Sequence, residues 1–505
     1  MALRRLQFLR KRTFFLCALA GVLMTLSFPT YHMGFLGFIC LVPLLHALVG
    51  NRTEPFFSLG LIMGLVLYAS TFFWIAWATL PGALAAIGLL AIFLGIFTLI
   101  YGFMVRRGTA LAVWTFPFFW TAHEYIRSLG QLGFPWASLC YSQTRYLPLI
   151  QWASLAGPYA VSFWLASINV LIYWVLRNLS RRWVLLFLLG PLIAVPYLHG
   201  IGVIPAEKLD GDLRVALVQP NMGPGVKWDS RFIDSNMEVL LRMTREAALQ
   251  RPDLIIWPET ATPCYLVRQR KHFIKVRDLV DETGLFLLTG SPDYTYIEER
   301  DEYQYFNSAF FFAPDRREIQ RYSKMQLVPF SEKIPYDERI PLLRKINMGE
   351  ADFTPGQDWT IFRHPKADFA ALICFESIFP QMAREFQERG ADFLVIITND
   401  GWFGRTPAPY QHAAIAVFRA IENRVSIARC ANTGVSMIID PFGRVSHETP
   451  IFEERTVVAD LPLWTQSTFY QRHGEWVGPA CCLVAAVMLA TAVLRRRKPR
   501  EERSV

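Results

Sequence analysis

Long apolar runs separated by short polar turns fill roughly the first 200 residues of the chain, and one more lies near its end. A helix needs about 20 largely apolar residues to cross the hydrocarbon core of a bilayer. Eight stretches approach that length, and we predict a membrane-spanning helix in each. They cover residues 13–29, 33–49, 56–78, 82–105, 109–126, 155–176, 182–200 and 475–494. The first two are short, so a single bent hairpin is an alternative to two spans.

The pattern changes between residues 210 and 465, where short β-rich runs alternate with amphipathic helical stretches. Residues 213–219 have the composition of a strand, and residues 231–250 have the apolar spacing of a helix. Strands that alternate with helices are typical of a layered α/β domain. We therefore predict three parts. They are a membrane domain of about seven transmembrane helices at 1–205, an α/β domain at 206–468, and a C-terminal transmembrane helix with a basic tail at 469–505.

Composition supports a chain that is solvated largely by lipid. It is 53% hydrophobic and 18% charged, whereas soluble domains carry about 25% charged residues. The net charge of +9 comes from arginines in short runs beside apolar segments. That distribution is typical of membrane topology and not of a nucleic-acid-binding face, so we expect no nucleic-acid partner. The basic N-terminus resembles a signal peptide but lacks a convincing cleavage site, which predicts an uncleaved first helix.

The basic residues also predict an orientation, because short cytoplasmic loops are enriched in Lys and Arg. With a cytoplasmic N-terminus and eight spans, both termini are cytoplasmic and residues 201–472 lie on the outer side. The cytoplasmic segments then hold the basic residues at 4–12, 52, 106–107, 177–182 and 495–498. The long, aromatic 127–154 loop departs from the rule. It is either an interfacial aromatic belt or a substrate-facing segment.

Two predicted buried strands end on a residue capable of acid–base or nucleophilic chemistry. Residues 254–257 are stopped by Pro258 and leave Glu259 at the strand end, and the strand at 370–373 leaves Cys374. A polar-ended strand between them carries Lys324. Enzymes place their chemistry on segments that a rigid scaffold positions in this way.

These residue types fit acyl transfer. A cysteine thiol is mostly neutral at pH 7 and needs a base, a role open to Glu259. Lys324 is a compact cation that can hold Glu259 and stabilise an oxyanion, with the backbone N–H of Phe375 as a second donor. The start of a helix after Cys374 favours its thiolate. Taken singly, however, each residue also fits a structural role, Cys374 in a core and Glu259 in a loop.

The local sequences together resemble the catalytic blocks of the nitrilase (carbon–nitrogen hydrolase) superfamily. They are WPET at 257–260, KMQLVPFSE at 324–332 and CFES at 374–377. The further blocks VQPN at 218–221, NDGWFG at 399–404 and GFPW at 133–136 make the whole set similar to the apolipoprotein N-acyltransferase family. That resemblance runs from about residue 15 to residue 493.

The resemblance implies an αββα sandwich for the α/β domain and a reaction without a cofactor or metal. Cys374 would take an acyl chain from a phospholipid, commonly phosphatidylethanolamine, and pass it to the α-amine of the diacylglyceryl-cysteine of an apolipoprotein. Glu259 would be the base and Lys324 the oxyanion partner. The resemblance also implies supporting and pocket-forming residues: the carboxylates of Glu332 and Glu376, and the aromatic rings of Trp228, Phe375 and Trp402. We expect a monomer in the bacterial inner membrane, with the catalytic domain in the periplasm.

The chain departs from the family pattern at two positions, with Ser331 where Gly is usual and Phe375 where Tyr is common. Residues 402–411 are either a mobile lid or a packed surface loop. The alternative function is a membrane-anchored amidase that hydrolyses an amphiphilic amide with the same three residues. A transporter is disfavoured, since the sequence shows no intramembrane charged pairs or internal repeats.

Overall fold

The computed structural model describes residues 2–50, 55–227, 229–314, 316–340, 342–343 and 352–494. Apolar helices form the N-terminal part, two β-sheets with flanking helices form the middle, and a final apolar helix closes the chain. The predicted combination of a helical region with a layered α/β domain is confirmed.

The N-terminal region contains long helices joined by short ones. They are α1 (Ala2–Ser27), α2 (Val42–Gly50), α3 (Phe56–Phe72), α4 (Ile75–Ala78), α5 (Leu80–Arg107), α6 (Thr109–Arg127), α7 (Leu147–Ile150), α8 (Ala153–Arg177) and α9 (Arg182–Val203). Within the described residues, four helices are long and apolar enough to cross a bilayer, namely α5, α8, α9 and the C-terminal Val477–Leu494. The count of eight spans stays a prediction.

The segment predicted as a continuous span at 33–49 is broken in the structure. A 3-10 helix at Gly34–Phe38 precedes α2. The side chain of Asn169, in α8, accepts a hydrogen bond from the N–H of Leu41 (2.8 Å) and donates one to the carbonyl of Gly37 (2.9 Å). Irregular backbone needs such internal partners wherever it is shielded from water, and these bonds would serve it at the predicted membrane position. Asn169 thus supplies the bonds that a continuous helix would have made itself.

The α/β domain contains two sheets. The strands are β1 (Leu213–Gln219), β2 (Leu254–Ile256), β3 (Phe286–Ile297), β4 (Glu302–Phe312), β5 (Gln320–Ser323), β6 (Phe369–Ile373), β7 (Phe393–Thr398), β8 (Ile427–Ala431), β9 (Met437–Ile439), β10 (Val445–Ser446) and β11 (Arg455–Leu461). The first sheet has the order β11-β1-β2-β3-β4-β5 and the second β10-β9-β8-β7-β6. In the first sheet β2 pairs in parallel with β1 and β3, and in the second β7 pairs in parallel with β6 and β8.

Alternating side chains of β1 show how the layers stack. Leu213, Val215 and Leu217 belong to the core that the two sheets share, whereas Ala216 and Val218 pack with the helices on the outer face. Opposite faces of one strand therefore bury against different layers, as the two-residue period of a strand requires. The remaining helices are α10 (Pro224–Lys227), α11 (Ile233–Ala248), α12 (Arg270–Thr283), α13 (Pro380–Glu388), α14 (Ala408–Asn423), α15 (Phe469–His473) and α16 (Val477–Leu494).

Two helices connect the α/β domain with the N-terminal helices. Nearly all residues of α14 are buried, because α8 covers the side that a soluble domain would expose. α16 packs on α6 and α8. Gly478 of α16 lies so close to the ring of Tyr125 that an added Cβ atom would come within 2.5 Å of it. The two parts therefore share one continuous packed interior.

Candidate active site

Cys374 occupies a sharp turn at the end of β6. Its φ of +53° lies in the left-handed region, and a 3-10 helix, Cys374–Ile378, begins at the same residue. A non-glycine residue in this region is held there by its surroundings. Strand-to-helix turns of this kind present the nucleophile of many α/β hydrolases. The side chain is half-buried.

Glu259 follows β2 and is buried, with hydrogen-bond donors around both carboxylate oxygens. Oε1 accepts from Nδ2 of Asn307 (2.8 Å) and lies 3.5 Å from Nζ of Lys324. Oε2 accepts from the backbone N–H of Asn399 (2.8 Å). Every one of these partners donates a hydrogen bond, so the carboxylate is fixed in one orientation.

Lys324 lies just beyond β5 and is 1% exposed. Its Nζ donates to Oε1 of Glu332 at 2.8 Å in addition to the longer contact with Glu259. Burial opposes the charge of the ammonium, but Glu332 and Glu259 outweigh it and hold the pKa of Lys324 above its usual range. The lysine is therefore a fixed cation between two carboxylates.

The charges of Glu259 and Lys324 both act on the thiol. Burial raises the pKa of Cys374 well above its usual range, the carboxylate of Glu259 adds to the rise, and the ammonium of Lys324 opposes it. Burial and the carboxylate of Glu259 therefore favour the neutral thiol, opposite to the helix-start effect expected from the sequence. A neutral thiol attacks an ester only if a base takes its proton, and Glu259 is the carboxylate that acts on it most strongly.

The two supporting carboxylates do different things. Glu332 accepts from Lys324 and, at 2.8 Å, from the N–H of Val328, so it fixes the ammonium. Glu376 is fully buried and accepts from the hydroxyl of Tyr322 and the N–H of Ile373, each at 2.7 Å. Glu376 also accepts from Met325 N and Gln326 N, next to Lys324. Glu376 therefore connects the backbone next to Lys324 with the end of β6 through hydrogen bonds.

A second polar cluster lies next to the thiol. Nδ1 of His412, in α14, is 3.0 Å from Oδ1 of Asp400, and Arg429 donates to Oδ2 of Asp400 at 2.9 Å. The thiol of Cys374, the carboxylate and the imidazole lie within 4.8 Å of one another, a spacing that could hold a metal ion. The guanidinium of Arg429 already binds the carboxylate of Asp400, and its positive charge repels a cation. The cluster therefore does not fit a resident metal.

Comparison with known proteins covers nearly the whole chain. The carbon–nitrogen hydrolase family model matches residues 214–468, and the apolipoprotein N-acyltransferase N-terminal domain model matches residues 20–171. A protein of Geobacter metallireducens named apolipoprotein N-acyltransferase is 35% identical, over 96% of this chain and 96% of its own length. One of the same name from Chlorobaculum tepidum is 34% identical, over 97% and 98%.

The chain belongs to the apolipoprotein N-acyltransferase family. The resemblance found in the sequence is thereby confirmed, as is the prediction of an acyltransferase in the carbon–nitrogen hydrolase superfamily. The amidase alternative is not favoured. A solved nitrilase-superfamily structure from Saccharomyces cerevisiae aligns with a TM-score of 0.39 and 19% identity, covering 51% of this chain and 93% of that one.

Of the three aromatic residues that the sequence resemblance implies for the acyl pocket, two lie within the described residues. Phe375 is buried, and its ring centroid lies 5.8 Å from that of Phe134 in the 127–154 loop. Trp402 is half-buried in the 3-10 helix Asp400–Phe403. Trp228 lies outside the described residues. The contact with Phe134 places that part of the 127–154 loop beside Phe375, and both interpretations of the loop stay open.

Several residues of the candidate site were not predicted from the sequence. Asn307 lies inside β4 and not at a strand end, so no local signal indicates its bond to Glu259. Asn399 directly follows β7, where the strand-end argument could have found it. Lys227 is buried with Nζ 2.8 Å from Oγ1 of Thr260, and burial lowers the pKa of Lys227 to about 7.

Proposed function

We propose that this chain transfers an acyl group from a membrane phospholipid to the α-amine of an N-terminal diacylglyceryl-cysteine on apolipoproteins, through a thioester on Cys374. The observation that carries the proposal is the buried contact between Glu259 and Lys324 (3.5 Å), whose charges both act on the pKa of the Cys374 thiol. The relatives that match almost the whole chain are named for this activity.

In the first half-reaction, Glu259 takes the thiol proton as the sulfur attacks the ester carbonyl of the phospholipid. The new C–S bond produces a tetrahedral oxyanion, which Lys324 and the N–H of Phe375 stabilise. The ester C–O bond then breaks, and Glu259 returns the proton to the departing lysophospholipid oxygen. The acyl chain remains as a thioester on Cys374.

In the second half-reaction, the amine attacks the thioester carbonyl. Glu259 takes a proton from the attacking nitrogen, and the C–S bond breaks as the amide forms. The sulfur recovers a proton from Glu259, so the enzyme returns to its starting state. Water in place of the amine would give hydrolysis, which is the chemistry of an amidase.

Both substrates reside in a bilayer, so the site must be reached from the membrane. We propose that Phe375, Trp402 and Trp228 form the wall of the acyl pocket. The contact of Phe375 with Phe134, and that of Phe403 with Trp74 at 4.5 Å, support a pocket between the α/β domain and the helices. Phosphatidylethanolamine is the proposed donor and a monomer the proposed assembly.

The proposed location is the bacterial inner membrane, with the catalytic domain in the periplasm and both termini in the cytoplasm. We propose the same domain limits that the sequence predicts. They are 1–205 for the membrane domain, 206–468 for the catalytic domain and 469–505 for the last helix and tail. The apolar helices and the basic residues of the short loops support this arrangement.

Intact mass spectrometry of the purified protein after incubation with phosphatidylethanolamine tests the proposal. The wild type should gain the mass of one acyl chain. Cys374→Ala should gain none, and Cys374→Ser should gain almost none, because Glu259 is a weak base for a hydroxyl of much higher pKa. Cys264→Ala, which removes a buried cysteine near Glu259 in sequence, is the matched control and should acylate normally. A full mass shift in Cys374→Ala would refute the assignment.

A further inference from the structure

The carbonyl oxygen of Cys374 is held by two side chains. The hydroxyl of Ser377 donates to it at 2.8 Å, and Nε2 of His412 lies 3.1 Å from it. Nε2 of His412 is also 2.9 Å from the hydroxyl oxygen of Ser377. A carbonyl oxygen and a carboxylate oxygen can only accept, so the bonds of His412 to Cys374 and to Asp400 together require a proton on both ring nitrogens.

The ring of His412 is itself fixed on every side. Asp400 holds Nδ1, and Asp400 in turn accepts from Thr398 Oγ1 (3.1 Å) and from Arg429. The ring of Trp136 stacks on that of His412, with centroids 5.0 Å apart. His412 and Asp400 are almost completely buried. The imidazole therefore has no freedom to turn away from the carbonyl of Cys374.

Fixing this carbonyl also fixes the next N–H. The peptide bond between Cys374 and Phe375 is trans, so the carbonyl of Cys374 and the N–H of Phe375 point in opposite directions. The N–H of Phe375 lies in the first turn of a 3-10 helix, where backbone N–H groups have no partner within the helix.

We propose that His412 is a positioning residue, which binds the carbonyl of Cys374 and thereby aims the N–H of Phe375 at the oxyanion of the acyl-transfer reaction. The inference rests on the proposed function, since it assigns a part of the same site. It gives the Asp400–His412 pair a role different from that of Glu259, because the pair holds a backbone donor in place whereas Glu259 takes the thiol proton.

Two reactions of the same thiol separate these roles. Acylation by a phospholipid passes through an oxyanion, whereas alkylation by iodoacetamide does not. Because loss of one oxyanion donor costs about 10²–10³ in rate, misaligning it in His412→Leu should slow acylation by about 10–10²-fold. Alkylation should stay within about threefold of wild type. Glu259→Gln should slow both reactions, since the base serves both. The exposed His473→Leu is the matched control and should change neither.

Two further variants keep the inference testable if His412→Leu does not fold. His412→Gln can retain an N–H donor near the position of Nε2 and should recover part of the acylation rate. Ser377→Ala removes the other donor and should also slow acylation more than alkylation. Normal acylation in His412→Leu, equal losses in the two reactions, or a Gln variant no better than Leu would each overturn the inference. A wild type that is never acylated would refute the proposed function instead.

Discussion

The backbone N–H of Asn399 donates a hydrogen bond of 2.8 Å to Oε2 of Glu259, although the two residues follow strands of different sheets. The second oxygen of the same carboxylate accepts from Asn307 and faces Lys324. The proposed base is therefore held from both layers of the sandwich. Any group that replaces it must accept hydrogen bonds at both of its ends.

Glu259→Gln should fail for two reasons. The amide cannot take the thiol proton, and in either orientation its NH₂ group meets a donor, Asn399 on one side or Asn307 and Lys324 on the other. We expect acyl-enzyme formation to fall by orders of magnitude and the melting temperature to drop. Labelling of Cys374 by a fluorescent phospholipid and thermal unfolding measure the two effects. The exposed Glu246→Gln should match wild type in both, and an active, stable Glu259→Gln would contradict this account.

Lys324→Arg should also lose acylation, because the larger planar guanidinium does not fit between Glu332 and Glu259. Residues that act as a unit are strongly non-additive in catalysis. The Glu259→Gln, Lys324→Arg double variant should therefore lose little beyond the worse single variant in the same burst-phase labelling experiment. Losses that multiply in the double variant would show that the two residues act independently.

Glu376 should make stability depend on pH. Burial raises its pKa to about 6, although bonds from Ile373 and Tyr322 and the charge of Lys324 oppose the rise. The unfolded value is near 4.3, so its stabilisation is fully present below about pH 4.3 and is lost as pH rises through about 6, a change of about 2 kcal/mol. The advantage of wild type over Glu376→Gln in thermal unfolding should be larger at pH 5 than at pH 7.5. A pH-independent difference would contradict the assignment.

Trp136 should matter for both folding and catalysis. Its ring stacks on His412 and its Nε1 donates to Gln411 at 3.1 Å. Replacing a buried Trp by Ala typically costs about 3–5 kcal/mol. Trp136→Ala should therefore lower the melting temperature and slow acylation, whereas Trp183→Ala, at a side chain 70% exposed, should do neither. Equal effects of the two substitutions would refute a specific role for Trp136.

The orientation can be tested with fusions to a reporter that is active only in the periplasm. A fusion near Asp210 should be active, and a fusion after Arg497 should be silent, because the basic clusters flank segments predicted to be cytoplasmic. The reverse pattern would rule out the eight-span arrangement. A matched pair of fusions to a cytoplasmic reporter should give the complementary result.

The sequence indicated those site residues that a local pattern marks. Glu259 and Cys374 end short apolar strands, and a strand end is visible in one sequence. Asn307 is not visible in this way, since only the pairing of β3 with β4 brings it to Glu259. The same holds for His412, whose partners come from two other segments of the chain.

The membrane part shows the same limit. Hydropathy located the apolar segments, but the break before α2 depends on Asn169, a single polar residue in a helix far along the chain. Hydropathy averages over a window and does not report which residue will supply a missing hydrogen bond. The burial of α14 on nearly all sides could not be predicted either. Its amphipathic pattern indicates one buried face but gives no information about the element that packs on the opposite face.

The packing of α16 on α6 has a consequence for how the protein is made. The ribosome completes α6 early and reaches α16 only after the whole catalytic domain, roughly 20–70 s later at about 5–20 residues per second. In the proposed membrane arrangement, lipid tails fill the groove beside Tyr125 during that interval, until Gly478 occupies it. In that arrangement, biogenesis ends with the association of α16 with α6 inside the bilayer, driven by close packing of Gly478 against the ring of Tyr125 and not by expulsion of water.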